Sequence, residues 1–237
     1  MFAVHMQLFF TDHIEDNIAI LPDEEARHCI ASLRRKAGDP IQFVDGKGGL
    51  YSGVLLEASK KRCSIRIVEK EQTAMVPEVR LHMAIAPTKN IARFEWFLEK
   101  ATEIGITEVT PLLCFHSERR KLRFDRLERI VMSAMKQSAK AWLPKINELT
   151  SFKDLITQET TAQKFIAHCH KSEKTPLKDS CTPKSDVFIL IGPEGDFSEE
   201  ELGMAFDNSF KPVSLGNSRL RTETAGLAAC HTVNLIN

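Results

Sequence analysis

The chain has 237 residues with 32 basic and 32 acidic side chains, so its formal net charge is zero. A content of 43% hydrophobic and 27% charged residues is ordinary for a globular protein and excludes a disordered or fibrous chain. Because no apolar run approaches the roughly 18 residues of a membrane span and the first ten residues lack the pattern of a secretory signal, we expect a cytoplasmic protein.

The first seventy residues are predicted to form a small β-rich unit. A short helix is expected at residues 22–34, because three acidic residues occupy its first turn. Three β-type runs follow at residues 40–44, 51–57 and 63–69. The first two runs are joined by a glycine-rich hairpin turn that begins with Asp45-Gly46. Short strands with tight turns indicate a small β-barrel, and the charged stretch at residues 69–78 indicates a linker.

The rest of the chain alternates between strands and helices. Apolar runs predict strands at residues 79–86, 107–113, 165–169, 187–191 and 212–215. Asn90 is expected to cap a helix that ends at Gly105, and a second helix is expected to start at Asp125. This alternation is typical of βαβ units around a mostly parallel sheet.

Charge is unevenly distributed along the chain. Residues 79–150 carry 13 basic and 8 acidic side chains, whereas residues 186–237 carry 3 basic and 8 acidic ones. The zero net charge therefore conceals a basic middle, which suits a nucleic-acid partner, and an acidic end.

The six cysteines do not form closely spaced pairs. His168-Cys169-His170 is the one local cluster of metal-ligating residues, and no second ligand pair accompanies it. We therefore expect no metal, and scattered cysteines fit a reducing cytoplasm.

A buried strand that runs into Gly192-Pro193-Glu194-Gly195 is the most informative segment. Ser198 and Glu201 are expected to form a capping box at the start of the next helix. Ligands of open α/β sheets bind beyond the carboxyl ends of the strands, so the turn is a candidate pocket. Its many carboxylates and the lack of a phosphate-binding glycine motif favour an uncharged or cationic ligand. The alternative is a structural strand–helix turn without a ligand.

A second glycine loop follows directly. The strand at residues 212–215 leads into Gly216, and a helix rich in small residues begins after Arg221. Two such units in succession could give two adjacent loops at one sheet edge. An arginine beside a buried helix needs a partner, and Glu194 and Glu223 are the available carboxylates. The alternative here is a structural salt bridge.

Three basic clusters indicate an RNA-binding face, although a solvated surface is the alternative for each of them. They lie at residues 34–36, 60–62 and 119–126. Three clusters on a neutral protein favour RNA more strongly than one does.

Together the two glycine loops resemble the signature of the RsmE family, SPOUT-superfamily methyltransferases that act on a uridine of 16S ribosomal RNA. The matching residues are Leu190-Ile191-Gly192-Pro193-Glu194-Gly195-x-Phe197-Ser198-x-x-Glu201 and Leu215-Gly216-x-x-x-Leu220-Arg221-x-Glu223-Thr224-Ala225. The segment from Lys100 to Ile106 also matches, and the N-terminal β-region resembles the PUA-like domain of the same family.

The resemblance implies a PUA-like RNA-binding β-barrel at residues 1–73 and a trefoil-knotted α/β methyltransferase domain at residues 74–237. It also implies S-adenosylmethionine as cofactor, a homodimer, 16S ribosomal RNA or the small ribosomal subunit as partner, and N3-methyluridine as product. The expected cofactor residues are Leu190, Gly192, Pro193, Glu194, Gly195, Leu215, Gly216 and Leu220. The expected RNA-binding residues are Arg34, Arg35, Lys36, Lys89, Arg119, Arg120, Arg123 and Lys140.

The chemistry implied is the removal of a proton from N3 of uridine and the transfer of a methyl group to that atom. Arg221 is expected to orient the uracil or stabilise its anion. Glu194 or Glu223 is expected to orient Arg221 or to accept the proton.

Three positions depart from the family pattern. Asp196 stands where the family often has glycine, Arg219 is displaced by one place, and Lys140 replaces an arginine, which loses bidentate phosphate recognition. Two other functions remain open: a SPOUT methyltransferase for another RNA position, including a ribose 2′-OH, and a non-catalytic RNA-binding factor of ribosome assembly.

Overall fold

A computed structural model describes residues 7–59, 62–70 and 76–237, which fall into two compact units. The first unit comprises Met1–Val76 and Met132–Leu143, and the second comprises Pro77–Val131 and Pro144–Asn237. The boundary expected between residues 73 and 74 lies outside the described residues, as do Lys60 and Lys61 of the second basic cluster. The sequence did not indicate that residues 132–143 belong with the first unit.

The first unit is built on a six-stranded sheet. Its strands are β1 (Leu8–Phe10), β2 (Ile14–Glu15), β3 (Ile18–Ile20), β4 (Pro40–Val44), β5 (Leu50–Ala58) and β6 (Cys63–Lys70). Their order is β1-β4-β5-β6-β3-β2, and all neighbours are antiparallel except β1 and β4. Thr11, just after β1, donates its N–H to the carbonyl oxygen of Val44 and its hydroxyl to that of Ile20, 3.1 and 2.5 Å away, which connects the end of β1 to both β4 and β3. The predicted small β-rich unit is confirmed.

The helix of the first unit is shorter than the sequence suggests. Helix α1 (Asp23–Arg27) passes into one π-helical turn at His28–Ser32. The three acidic side chains of the first turn are present as predicted, but no side chain caps the helix start. The regular helix therefore covers only the first part of the stretch expected at residues 22–34.

Residues 132–143 join the first unit through an ion pair and an apolar cluster. The buried carboxylate of Glu25 accepts a hydrogen bond from the N–H of Phe10 at 3.1 Å and pairs with the ammonium group of Lys136. Met135 packs with Phe10 and Val44. These contacts join residues more than a hundred positions apart, which local patterns do not reveal.

The second unit contains an eight-stranded parallel sheet. Its strands are β7 (Leu81–Ile85), β8 (Glu108–Leu113), β9 (Lys145–Ile146), β10 (Thr150–Ser151), β11 (Gln163–Ala167), β12 (Thr175–Pro176), β13 (Val187–Ile191) and β14 (Lys211–Ser214). Their order is β10-β8-β7-β13-β11-β14-β12, with β9 also pairing with β8. Every pair is parallel. This sheet confirms the predicted α/β class, and β13 at its centre is buried along its whole length.

The remaining helices follow strands of this unit in the chain, with α7 after the last strand, and α3 ends in the first unit. They are α2 (Ile91–Ile104), α3 (Phe124–Gln137), α4 (Phe152–Ile156), α5 (Leu177–Ser180), α6 (Glu199–Asp207) and α7 (Thr222–Ile236). The side chain of Asn90 caps α2 by accepting the N–H of Ala92 at 3.1 Å, and Gly105 ends the helix with a φ of +129°, as predicted. Among the described residues, no helix has the length and apolar character needed to cross a membrane.

Helix α7 packs closely on α2, β7 and β13 because it carries a glycine at the contact. A Cβ atom at Gly226 would lie 2.7 Å from atoms of both Ile85 and Phe97, which is too close for any side chain. The small residues noted in the sequence therefore serve close packing, which holds the start of α7 beside the end of β13.

Candidate active site

A cavity of about 710 Å³ lies at the carboxyl edge of the parallel sheet in the second unit. Strands β11, β13 and β14 are neighbours or next neighbours in the sheet, so the loops that follow them surround one space. Ile191 and Val213 contribute apolar surface to it, and the two glycine loops contribute backbone groups. The pocket predicted from the position of the first glycine loop is therefore present.

The residues expected to contact a cofactor divide into two sets. Those that line the cavity are Gly192, Pro193, Glu194, Leu215, Gly216 and Leu220. Leu190 is fully buried in the hydrophobic core instead, packed among residues that include Phe188 and Phe197. Gly195 faces His116, whose Cβ would lie 2.9 Å from a Cβ at that position. Neither of these two residues is among those that line the cavity.

The first glycine loop is held by its neighbouring side chains. A Cβ at Gly192 would lie 3.1 Å from the ring of the buried Phe197, so the glycine allows close packing there. The capping box predicted at Ser198 and Glu201 is present: the hydroxyl accepts the N–H of Glu201 at 3.1 Å, and the carboxylate accepts the N–H of Ser198 at 2.8 Å. The carboxylate of Glu201 is therefore occupied and does not face the cavity.

Asp196, at the position where the resembled family often has glycine, is built into this loop. Its φ of +64° is a left-handed conformation that favours glycine and that aspartate tolerates better than most residues. Its carboxylate accepts N–H groups from Cys169 at 2.7 Å and from Phe197 at 2.9 Å. The added side chain thus joins the first glycine loop to the loop after β11.

A hydrogen bond from the residue that follows the second glycine loop connects this loop to the first one. Gly216 has a φ of +130°, and the direction in which a Cβ would point is open for 4 Å. The buried hydroxyl of Thr222 donates to the carbonyl oxygen of Gly192 over 3.0 Å. This single hydrogen bond connects the start of α7 to the end of β13 across the cavity rim.

The three residues expected to carry out the chemistry do not pair as the sequence suggested. Arg221 lines the cavity with an exposed side chain, and within the described part of the chain this side chain makes no hydrogen bond or ion pair. Glu194 accepts the backbone N–H of Lys89 at 3.0 Å. Glu223 is buried and lies 3.7 Å from the guanidinium of Arg93. Arg221 is the residue before the first turn of α7, and it forms no ion pair with either carboxylate.

Arg93 was not indicated by the sequence and, like Glu223, is not among the residues that line the cavity. It lies in the first turn of α2, and it is the ion-pair partner of Glu223 across 130 residues of sequence. The second carboxylate oxygen of Glu223 is buried without a hydrogen-bond partner among the described residues. A basic residue just after the Asn90 cap is the only local signal that could have indicated it.

Two histidines from the cluster at residues 168–170 also lie here. Strand β11 ends at Ala167, two residues before the predicted end at residue 169, so His168 lies in the loop that lines the cavity. Burial, with a smaller contribution from nearby Lys174, lowers the pKa of His168 to about 4, and both ring nitrogens are buried without a partner in the described structure. His170 places Nε2 at 2.8 Å from the carbonyl oxygen of Phe197. No group of three or more metal-ligating side chains is found in the described ranges.

The expected RNA-binding residues are divided between the two units. Arg34, Arg35, Lys36 and Lys140 belong to the first unit, and Lys89, Arg119, Arg120 and Arg123 belong to the second. Arg119 is used internally, because it donates to the carbonyl oxygens of Thr88 and Lys89 at 3.1 and 2.7 Å. Lys89 and Arg123 form exposed ion pairs with Glu118 and Asp125 at 2.8 and 3.1 Å.

The charge of the cavity is more balanced than the sequence suggested. Glu194 and Asp196 line it, but so do Lys174, Arg219 and Arg221. Glu199, Glu200 and Glu201 lie in the first turn of α6, where they complement the helix dipole instead of the ligand site. Apolar strand ends, the backbone groups of two glycine loops and side chains of both charges suit a ligand that has apolar and polar parts and carries charge itself.

Comparison with known proteins gives a consistent result. A family model described as an RNA methyltransferase domain matches residues 76–234, and one described as an RNA methyltransferase PUA domain matches residues 21–68. A ribosomal RNA small subunit methyltransferase E of Mesomycoplasma hyopneumoniae is 30% identical over 231 residues, which cover 94% of this chain and 96% of the relative. The protein of that name from Aquifex aeolicus is 28% identical and covers 93% of this chain and 95% of the relative.

Solved structures show the same likeness. A probable rRNA methyltransferase from Porphyromonas gingivalis is 42% identical with a TM-score of 0.88, covering 97% of this chain and 99% of that one. A ribosomal RNA small subunit methyltransferase E from Neisseria gonorrhoeae, solved with bound S-adenosylmethionine, is 28% identical with a TM-score of 0.81, covering 95% of both chains.

Proposed function

The chain belongs to the RNA methyltransferase family and resembles its small-subunit methyltransferase E members over nearly its whole length, and we propose that it methylates N3 of a uridine in 16S ribosomal RNA, using S-adenosylmethionine. The observation that carries this proposal is the cavity between the two glycine loops, which has the size and chemistry that the cofactor needs. The matching PUA domain supports an RNA substrate.

The residues that line the cavity fit S-adenosylmethionine. When bound, this cofactor supplies a methyl group activated by a positively charged sulfur. Backbone groups of Gly192, Leu215, Gly216 and Leu220 would hold its adenine and ribose, and the open space beside Gly216 admits a ligand where a side chain would intrude. Glu194 places a negative charge at the same cavity, which favours a cationic sulfur.

Arg221 is proposed to act on the uracil. The N3 atom of uridine carries a proton and becomes nucleophilic only when that proton leaves, so the developing anion needs a cation nearby. Arg221 lines the cavity, is exposed and has no internal partner in the described chain, so its guanidinium is free to meet the uracil oxygens.

Glu194 is proposed to accept the proton, and Glu223 to position the site. Glu194 lines the cavity and has one carboxylate oxygen bound to the N–H of Lys89, which leaves the other oxygen for the proton. Glu223 is buried against Arg93 and lies two residues after Arg221, so it fixes the start of α7 that presents Arg221.

Several finer features are proposed with this function. They are a homodimer, cytoplasmic action on the small ribosomal subunit, the division at residue 73 into RNA-binding and catalytic domains, and a trefoil knot in the second domain. The expected RNA-binding residues remain a proposal. Within the described residues, five of the eight have side chains that make no internal hydrogen bond or ion pair: Arg34, Arg35, Lys36, Arg120 and Lys140.

Calorimetry and methyl transfer test the proposal together. We expect saturable binding of S-adenosylmethionine, and transfer of a labelled methyl group to small ribosomal subunits that lack the modification. The R221A variant should bind the cofactor normally and transfer the methyl group at least tenfold more slowly. Failure to bind at millimolar cofactor would overturn the proposal.

A further inference from the structure

Phe115 is an exposed aromatic residue that packing does not explain. It is 73% exposed, whereas its neighbours Cys114 and Ser117 are buried. It lies two residues after the end of β8 and therefore at the same carboxyl edge of the sheet as the cavity. An aromatic ring left in water at this edge is available to a partner with a flat apolar surface.

The backbone that carries Phe115 is held in place. Its N–H donates to the carboxylate of Glu201 at 2.8 Å, and the N–H of Cys114 donates to the hydroxyl of Ser117 at 3.0 Å. The ring of Phe115 meets the ring of His116 edge to face, with centroids 5.0 Å apart and planes at 80°. The ring is thus presented by a fixed segment, which lowers the entropy lost when a partner binds.

This segment touches the rim of the cavity. The Nδ1 atom of His116 lies 3.0 Å from the carbonyl oxygen of Asp196, a residue that lines the cavity. A Cβ atom added at Gly195 would lie 2.9 Å from the Cβ of His116, so the glycine allows this close contact. Phe115 is therefore one residue away from a side chain packed on the first glycine loop.

Free cations follow Phe115 in the chain. Arg120 and Lys121 are exposed, and in the described part of the chain their side chains make no hydrogen bond or ion pair. Arg119, by contrast, supports the loop at residues 88–89. An exposed aromatic ring followed within six residues by unpaired cations is a combination that suits single-stranded nucleic acid, because bases can stack on the ring and phosphates can meet the cations.

We infer that Phe115 stacks on an unpaired RNA base beside the uridine to be methylated, while Arg120 and Lys121 contact neighbouring phosphates. The inference rests on the proposed function for the nature of the target. It assigns Phe115 a role in holding the substrate, distinct from cofactor binding and from the methyl transfer itself.

Binding of two single-stranded probes tests this role directly. The probes are a labelled oligouridine of about ten nucleotides and an abasic strand of the same length. We expect F115A and F115L to weaken oligouridine binding about 5- to 150-fold and to leave abasic binding unchanged, because a base–aromatic stack is lost. F115W should keep the affinity. L235A is a matched control, since Leu235 is also 73% exposed.

Salt dependence separates stacking from charge. F115A should keep the wild-type slope of log affinity against log salt concentration. In an R120A/K121A variant, the magnitude of this slope should be smaller by about 1.4. The stacking role is overturned if F115L binds oligouridine like the wild type, if F115A weakens both probes equally, or if F115A changes the oligomeric state. Methyl transfer by the wild type is measured separately, so its failure would overturn the proposed function while the probes still test the stack.

Discussion

Replacing Thr222 with valine removes the hydrogen bond that connects the two glycine loops. Thr222 is 5% exposed, and its hydroxyl donates to the carbonyl oxygen of Gly192 over 3.0 Å. Valine has nearly the same shape, so T222V leaves that carbonyl oxygen without this donor. The cost of leaving a buried acceptor unsatisfied is about 1–3 kcal/mol. This energy corresponds to a roughly 5- to 150-fold change in an equilibrium constant.

Comparing cofactor affinity with the free energy of unfolding shows which of the two this hydrogen bond supports. Both loops line the cavity, so we expect T222V to raise the Kd for S-adenosylmethionine by roughly 5- to 50-fold, with the rest of the cost lowering the free energy of unfolding. Calorimetry measures the first quantity and urea titration measures the second. T222S keeps the hydroxyl and should resemble the wild type. The coupling between the loops is refuted if T222V changes neither the Kd nor the free energy of unfolding.

Three further predictions concern an ion pair, a histidine and a cysteine. K136M leaves the buried carboxylate of Glu25 unpaired and should lower the free energy of unfolding in urea by about 3–5 kcal/mol. If E25Q/K136M lowers it equally, the unpaired charge is not the cause. Burial lowers the pKa of His168 from 6.5 to about 4, so between these two pH values the unfolded chain binds a proton that the folded chain does not. The free energy of unfolding should therefore fall by about 3 kcal/mol as the pH drops from 6.5 to 4, and H168Q should not show this loss. Cys169 is the one exposed cysteine of six and lines the cavity, so S-adenosylmethionine should slow its alkylation.

Local signals in the sequence were sufficient to predict the helix ends and the strand that form the site. The capping box at Ser198 and Glu201 and the end of α2 at Gly105 were predicted from residue types alone, because both depend on bonds within a few residues. The buried strand β13 was predicted with its bounds at Val187–Ile191, because a continuous apolar run is typical of a central parallel strand. The position of the cavity follows from these elements.

Contacts between residues that are distant in the chain could not be predicted from local signals. The pair of Arg93 and Glu223 and the pair of Lys136 and Glu25 join residues more than a hundred positions apart, and no periodic pattern connects them. The expected partner of Glu223 was Arg221, which is near in sequence but stands outside the helix start.

Short strands were missed for a different reason. Strands β2, β9, β10 and β12 have two residues each, too few to show an alternating pattern. Their pairing depends on the neighbouring strand, so only the tertiary structure reveals them. The site itself is little affected, because its loops follow the longer strands β11, β13 and β14.

The most direct test of the account is the position of the methyl group. Small ribosomal subunits that lack the modification are incubated with the protein and labelled S-adenosylmethionine, and the 16S RNA is digested and mapped by mass. We expect one labelled N3-methyluridine, strongly reduced with R221A. A label on a ribose 2′-OH or on another base, or no label from a protein that binds the cofactor, would contradict it.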